Sequence, residues 1–278
     1  MTDERFVGPT RCDAAAHSPY WGEHVARYAY AVEHGPSGDI LDIACGSGYG
    51  LDLLERRGRV IGADIDLNAL QAIRMGGDRR LVVTDGTALP FPSDAFDLVT
   101  SFETIEHVYD RRGFVQEIAR VLRPTGTLLL STPNAVYTKP VGGVPTNPFH
   151  RHEYVADELN VALSEGFASV QLLGQTLSPR FRTPPFELDQ RRLPRGVRTH
   201  SRLFGWKLVN KTGPTVREFL AQRFTGRPFY PLPGDYGFSP STTSDAPVLV
   251  AVCREPLHPV HIAMAAMESG LGGAQPCG

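Results

Sequence analysis

Ile40-Leu41-Asp42-Ile43-Ala44-Cys45-Gly46-Ser47-Gly48-Tyr49-Gly50 decides the reading of this chain: a short apolar strand carrying an acid, then a glycine-rich turn. A strand ending in glycine lets a ligand reach the backbone without meeting a Cβ, and a following helix start offers unpaired N–H groups. The segment predicts a site for a nucleoside-type ligand. A dinucleotide fingerprint requires a third glycine, and Leu51 stands there instead. Asp42 argues the same way, because its carboxylate repels a pyrophosphate, whereas it suits a cationic amino group or the orientation of the loop.

With Asp42, Ala44, Gly46 and Gly48 in these positions, the segment resembles motif I of class I S-adenosylmethionine-dependent methyltransferases, Asp-x-Gly-x-Gly-x-Gly. Ala44 replaces the first glycine. Alanine is small enough for close approach but resists positive φ, so the backbone there is either ordinary or the loop is slightly different.

The residues downstream continue the pattern. Arg59–Asp64 reads as a second buried strand ending in an acid about twenty residues after the loop, where a ribose-binding carboxylate belongs in such folds. A third apolar run, Leu81–Thr84, ends at Asp85-Gly86; the resemblance implies an acid here that accepts from the adenine amino group. Each acid taken singly also fits a solvated strand end, but three at successive strand ends form a pattern. Asp97–Phe102 and Thr125–Thr132 read as strands four and five, separated by a helix over Phe114–Leu122 and a turn at Arg123-Pro124-Thr125-Gly126. Val155–Glu165 reads as a helix, Ala168–Gly174 as strand six and Ala246–Cys253 as strand seven.

Alternating strands and helices predict an α/β, Rossmann-like three-layer sandwich with a mostly parallel sheet. The resemblance implies seven strands in the order 3-2-1-4-5-7-6, with strand seven antiparallel. The expected organisation is an N-terminal helical lid (1–36), a core (37–174 and 246–255), an inserted cap or substrate segment (175–245) and a flexible tail (256–278). The insertion is about seventy residues long where a hairpin needs a few. From Pro179 to Asp245 it holds twelve Lys plus Arg against five Asp plus Glu, a local +7 in a chain of net −2, together with many aromatic residues. That charge suits an anionic small-molecule acceptor or a solvated face, and the aromatic residues suit a packed cap or a homodimer contact.

Function follows from these residues and the resemblance: methyl transfer to a small molecule, at oxygen, in a natural-product or sugar and glycan pathway, with S-adenosylmethionine as cofactor. The cofactor residues expected are Arg27, Asp42, Ala44, Gly46, Gly48, Asp64, Ile65, Asp85, Gly86 and Phe102. Arg27 lies one helical turn from Glu23, as Tyr28 does from His24, and its guanidinium suits the methionyl carboxylate or a surface pair with Glu23. Phe102-Glu103-Thr104-Ile105-Glu106-His107-Val108 resembles the Glu-His-Val sequence of ubiquinone-pathway-like enzymes of bacteria, and His107 is a candidate base or a tie between loop and neighbour. Asn147-Pro148-Phe149-His150-Arg151-His152-Glu153-Tyr154 resembles a loop of bacterial sugar and natural-product methyltransferases. It offers His152 as a second catalytic candidate and His150, Glu153 and Tyr154 as a substrate wall.

A metal is not expected, because His150 and His152 lack an obvious third ligand. Cys12, Cys45, Cys253 and Cys277 have neither pairing nor metal spacing and read as reduced thiols. No apolar run approaches the ~20 residues of a membrane span and no leader pattern opens the chain, so a cytoplasmic enzyme is expected, with neither membrane nor nucleic acid as partner. The competing readings are an RNA methyltransferase, a small-molecule N- or C-methyltransferase, a non-catalytic cofactor-binding protein and a nicotinamide-dependent enzyme.

Overall fold

A computed structural model describes residues 21–145, 147–178, 216, 219 and 230–257. The N-terminal segment before Trp21, Cys12, most of the basic aromatic insertion, the tail after Leu257 and Cys277 lie outside the described residues. Helix α1 (Trp21–His34) leads into β1 (Gly38–Ile43), α2 (Leu51–Leu54), β2 (Gly58–Asp64), α3 (Leu67–Arg74), β3 (Leu81–Val83) and β4 (Phe96–Phe102). A 3-10 turn (Ile105–His107) precedes α4 (Arg111–Val121), β5 (Leu122–Pro133), α5 (Ala135–Thr138), α6 (Ala156–Ser164) and β6 (Phe167–Leu177); β7 (Tyr236–Ser239) and β8 (Val248–Pro256) follow.

The sheet has eight strands rather than seven, in the order β3-β2-β1-β4-β5-β8-β6-β7. Seven of them reproduce the expected order once the added strand is set aside, and β8 runs antiparallel to both β5 and β6. The eighth, β7, comes from inside the expected insertion. β6 extends three residues beyond Gly174, and Tyr236–Ser239 returns antiparallel along Gly174–Leu177, covering an edge that would otherwise expose unpaired backbone groups. Sequence alone hid this strand because four residues are too short for a period to register.

Two further boundaries moved. Helix α4 begins at Arg111, capped by Asp110, whose carboxylate accepts from Gly113 N–H at 2.9 Å. Arg123-Pro124-Thr125-Gly126 is not a turn between elements but a register irregularity inside a twelve-residue β5, which pairs Phe96 with Leu122 and Leu98 with Thr127.

Strand alternation sorts the core into two faces. Leu41, Ile43, Leu128 and Leu130 join Phe114, Ile118, Leu159 and Leu163 on the α4 and α6 side. Ile40, Leu98 and Leu129 join Tyr28, Ala31, Leu51, Leu54, Leu70 and Ile73 on the α1 to α3 side. Asp42 shares parity with Ile40, so its carboxylate is sent under α1 and not into the other core. Among the described residues, no helix is long and apolar enough to cross a membrane.

Candidate active site

The loop after β1 takes an unusual path. Ala44, Gly46 and Gly48 all have positive φ, at 57°, 55° and 74°. Ala44 therefore adopts the left-handed conformation that its side chain resists, a strain of roughly 1–2 kcal/mol that the surrounding contacts must hold. Glycine is needed at Gly48, where a Cβ would come within 2.8 Å of Ile73. At Gly46 a Cβ would meet nothing within 4 Å, so the space above that residue is open.

Asp64 fixes the loop. One carboxylate oxygen accepts from Gly46 N–H and the other from Asp66 N–H, both at 2.8 Å. Ile65 beside it is 70% exposed, an apolar surface at the strand tip that a flat ring can cover. Asp85 is exposed at the next strand end, its Oδ1 accepting from the backbone and hydroxyl of Thr87. Gly86 serves packing, since a Cβ there would come within 2.5 Å of the Phe114 ring.

Asp42 lies beneath the loop and is fully buried. The Tyr28 hydroxyl donates to it at 3.1 Å and Thr100 at 2.7 Å. Burial pushes its pKa up to about 7, with Asp64 adding to the rise and the two hydroxyl donors opposing it. Gly50 gives Tyr28 its room: a Cβ there would sit 2.1 Å from the ring. Tyr28 in turn stacks edge-on against Phe102 and Tyr49.

Arg27 is buried, and its surroundings differ from an open carboxylate clamp. Its guanidinium donates to Gln175 Oε1 at 2.9 Å and to His24 Nδ1 at 2.8 Å, with Glu23 at 3.4 Å and Glu103 at 3.7 Å. Burial works against its charge, while Glu103 and Glu23 hold the pKa above the ordinary value. Burial and the Arg27 charge press His24 well below the usual histidine range. Gln175 also donates to Glu23 O, which ties α1 to β6.

Two acids of the segment after β4, Glu103 and Glu106, stand beside these residues with no individual role assigned from the sequence. Glu103 follows β4 with φ 54°, and its carboxylate accepts from Ser131 at 2.7 Å. It is a fourth acid at a strand end, a signal present in the sequence. Glu106 is fully buried; Thr132 donates to one oxygen at 2.9 Å, and the other has no hydrogen-bond partner among the described residues. Burial and the nearby Glu103 raise its pKa well above the usual carboxylate range.

The two expected histidine segments do meet. Glu106 O accepts from the N–H groups of Arg151 and His152, so the loop after β5 is stitched onto the turn after β4. His107 donates from Nδ1 to Phe149 O at 3.1 Å, and its ring stands edge-on to His150 with centroids 4.9 Å apart. His150 donates from Nδ1 to Glu153 at 2.9 Å while Asn147 donates to its Nε2 at 2.7 Å.

The other two members of the expected wall and the second base candidate are placed differently. His152 turns away, toward Glu158 at 3.4 Å and edge-on to Tyr154. Glu153 and Tyr154 are buried, so they support the loop from beneath instead of presenting a surface. Burial pushes the Tyr154 hydroxyl up to about 12. Cys45 and Cys253 are free and buried, and burial raises both thiols far above their ordinary range.

Comparison with known proteins agrees with this geometry. The family model described as "Methyltransferase domain" matches residues 41–130. A "probable S-adenosylmethionine-dependent methyltransferase" of Mycobacterium tuberculosis strain H37Rv is 39% identical over 167 residues, 59% of this chain and 61% of the relative, so the chain spans about three fifths of that protein's length. A relative of the same description from Mycolicibacterium smegmatis is 38% identical over 178 residues, 63% of this chain and 67% of the relative. A crystal structure of a SAM-dependent methyltransferase from Archaeoglobus fulgidus shares the fold at TM-score 0.53 and 16% identity, covering 85% of this chain and 94% of that one. The chain belongs to the class I S-adenosylmethionine-dependent methyltransferases, a family whose cofactor is S-adenosylmethionine.

Proposed function

We propose that this chain methylates a small-molecule acceptor at oxygen, within a cytoplasmic biosynthetic pathway of the natural-product or sugar and glycan kind. When bound, S-adenosylmethionine supplies an electrophilic methyl group on sulfur. The residues fit that cofactor on two counts: the open space over Gly46 admits a ligand to the backbone, and the exposed Ile65 offers a face for an adenine ring. Asp64 holds the loop, Asp85 stands at the neighbouring strand end, and Asp42 and Tyr28 support the turn from below.

The observation that carries the reading is the meeting of His107 and His150 above the carboxyl end of β4, beside the Asp64-held loop at the end of β1. Ligands in open α/β folds bind along that edge. A hydroxyl acceptor must lose a proton, and the cluster of Glu106, His107 and His150 gives its oxygen a polar place to sit.

Supplying methyl-labelled S-adenosylmethionine with fractionated hydroxyl-bearing metabolites should label one product at oxygen. Titration with S-adenosylhomocysteine should give saturable heat. No heat, or label at nitrogen or carbon, sinks the corresponding half of the proposal.

A further inference from the structure

Beyond the methyl-transfer reading, the histidine segments bring together a group the sequence did not suggest. His150 and His152 are not paired as ligands, since His152 faces Glu158. Instead one ring nitrogen each from His107 and His150 and a carboxylate oxygen of Glu106 all lie within 4.8 Å of one another. We propose that Glu106, His107 and His150 form a binding site for one divalent transition-metal ion, which takes the acceptor's hydroxyl oxygen as a further ligand.

The buried, unpartnered Glu106 Oε1 is the independent observation behind this. It lies 4.0 Å from His107 Nε2 and has no donor among the described residues. A buried acceptor left without a donor is costly, and a cation answers that cost. Three atoms no more than 4.8 Å apart share a point within about 2.8 Å of each, against the ~2.0–2.2 Å of zinc to nitrogen or carboxylate oxygen, so each side chain need close by less than about 1 Å.

The surrounding contacts suit ligation. His107 Nδ1 donates to Phe149 O, which leaves Nε2 as the nitrogen on the Glu106 side. Whichever nitrogen of His150 turns to the ion, the other keeps an outer partner, Glu153 on Nδ1 or Asn147 on Nε2. Ring nitrogens fixed by an outer carboxylate or carbonyl are how ligating histidines are normally held. Two imidazoles and one carboxylate select zinc, manganese, iron or cobalt over magnesium, and three protein ligands leave positions open.

The inference rests on the proposed acceptor site and gives it a chemistry. An ion there lowers the pKa of a hydroxyl bound to it; the O–H bond breaks, its electron pair stays on oxygen, and the proton leaves to water. No side-chain base is then required.

The test uses the full chain freed of metal by a chelator and titrated with zinc chloride by calorimetry and with cobalt chloride by visible absorption. One ion per chain is expected, with affinity falling roughly tenfold or more in both Glu106→Gln and His150→Gln, and unchanged in His34→Ala, which removes a surface histidine. S-adenosylhomocysteine affinity reports folding of each variant. No stoichiometric ion, or binding that survives both substitutions, overturns the metal site while leaving the methyltransferase reading intact. Absent S-adenosylhomocysteine binding in the unaltered chain overturns the reading itself.

Discussion

Asp64, the last residue of β2, accepts the Gly46 backbone N–H at 2.8 Å, so the carboxylate at one strand end holds the glycine loop of its neighbour. The same carboxylate binds Asp66 N–H through its other oxygen, and both lone-pair sets are thereby directed before any ligand arrives. Asp64→Asn keeps the size and removes one acceptor. Calorimetry with S-adenosylhomocysteine should show affinity falling roughly tenfold, about 1.4 kcal/mol, the scale of a charge-assisted hydrogen bond. Unaltered affinity would mean that the loop holds its shape without this contact.

Ala44 carries φ 57° with a side chain that disfavours it. Ala44→Gly should relieve that strain while adding freedom to the unfolded chain, a net gain of about 0.5–1 kcal/mol in urea denaturation. A less stable variant would show that the methyl group contributes packing worth more than the strain.

Asp42 gives a pH dependence whose sign can be worked out. Its folded pKa, about 7, lies above the unfolded value of 3.8. Below 3.8 both states are protonated and its contribution to stability is intact. As pH rises from 3.8 to 7 the unfolded state ionises first, so the contribution is lost across that window and constant above it. The loss is of the order of a few kcal/mol. Comparing denaturation at pH 5 and pH 8, Asp42→Asn should lessen the fall seen in the unaltered chain; an identical fall in both would assign the dependence elsewhere.

Arg27 is buried among Glu23, Glu103, Gln175 and His24. Removing one partner of a buried charged group leaves the others uncompensated, so Arg27→Ala should cost about 3 kcal/mol or more in stability. Gln175→Ala breaks only the link from α1 to β6, and amide exchange in α1 should rise while the sheet stays protected. Equal protection in both proteins would place the anchoring of α1 elsewhere, on Tyr28.

His107→Ala should lower turnover at least tenfold with the S-adenosylhomocysteine affinity unchanged, if its ring, edge-on to His150, lines the proposed acceptor site. Parallel losses in both quantities would move His107 to a role in holding the loops together.

Much of this molecule was legible in the chain. The apolar run before Gly46, the strand-end positions of Asp64 and Asp85, and the spacing of alternating elements are local patterns, and they led to the parallel sheet and its glycine loop. Glu103 is legible too, as another acid after a strand, but its left-handed backbone and its place beside Arg27 carry no local mark. The short β7 and the irregularity at Arg123–Gly126 were not legible, since pairing with a distant strand defines both.

By itself the sequence determined the parallel part of the sheet and its glycine loop, because hydrophobic period and glycine placement act over a few residues and leave their mark in order along the chain. The tertiary structure alone decided the roles of the polar residues. It sent Asp42 under Tyr28, closed Arg27 among carboxylates and brought His107 to His150 while turning His152 away. The physical reason is that a polar side chain's chemistry depends on burial and on partners far along the chain, such as Gln175, 148 residues from Arg27, and no local pattern encodes such neighbours.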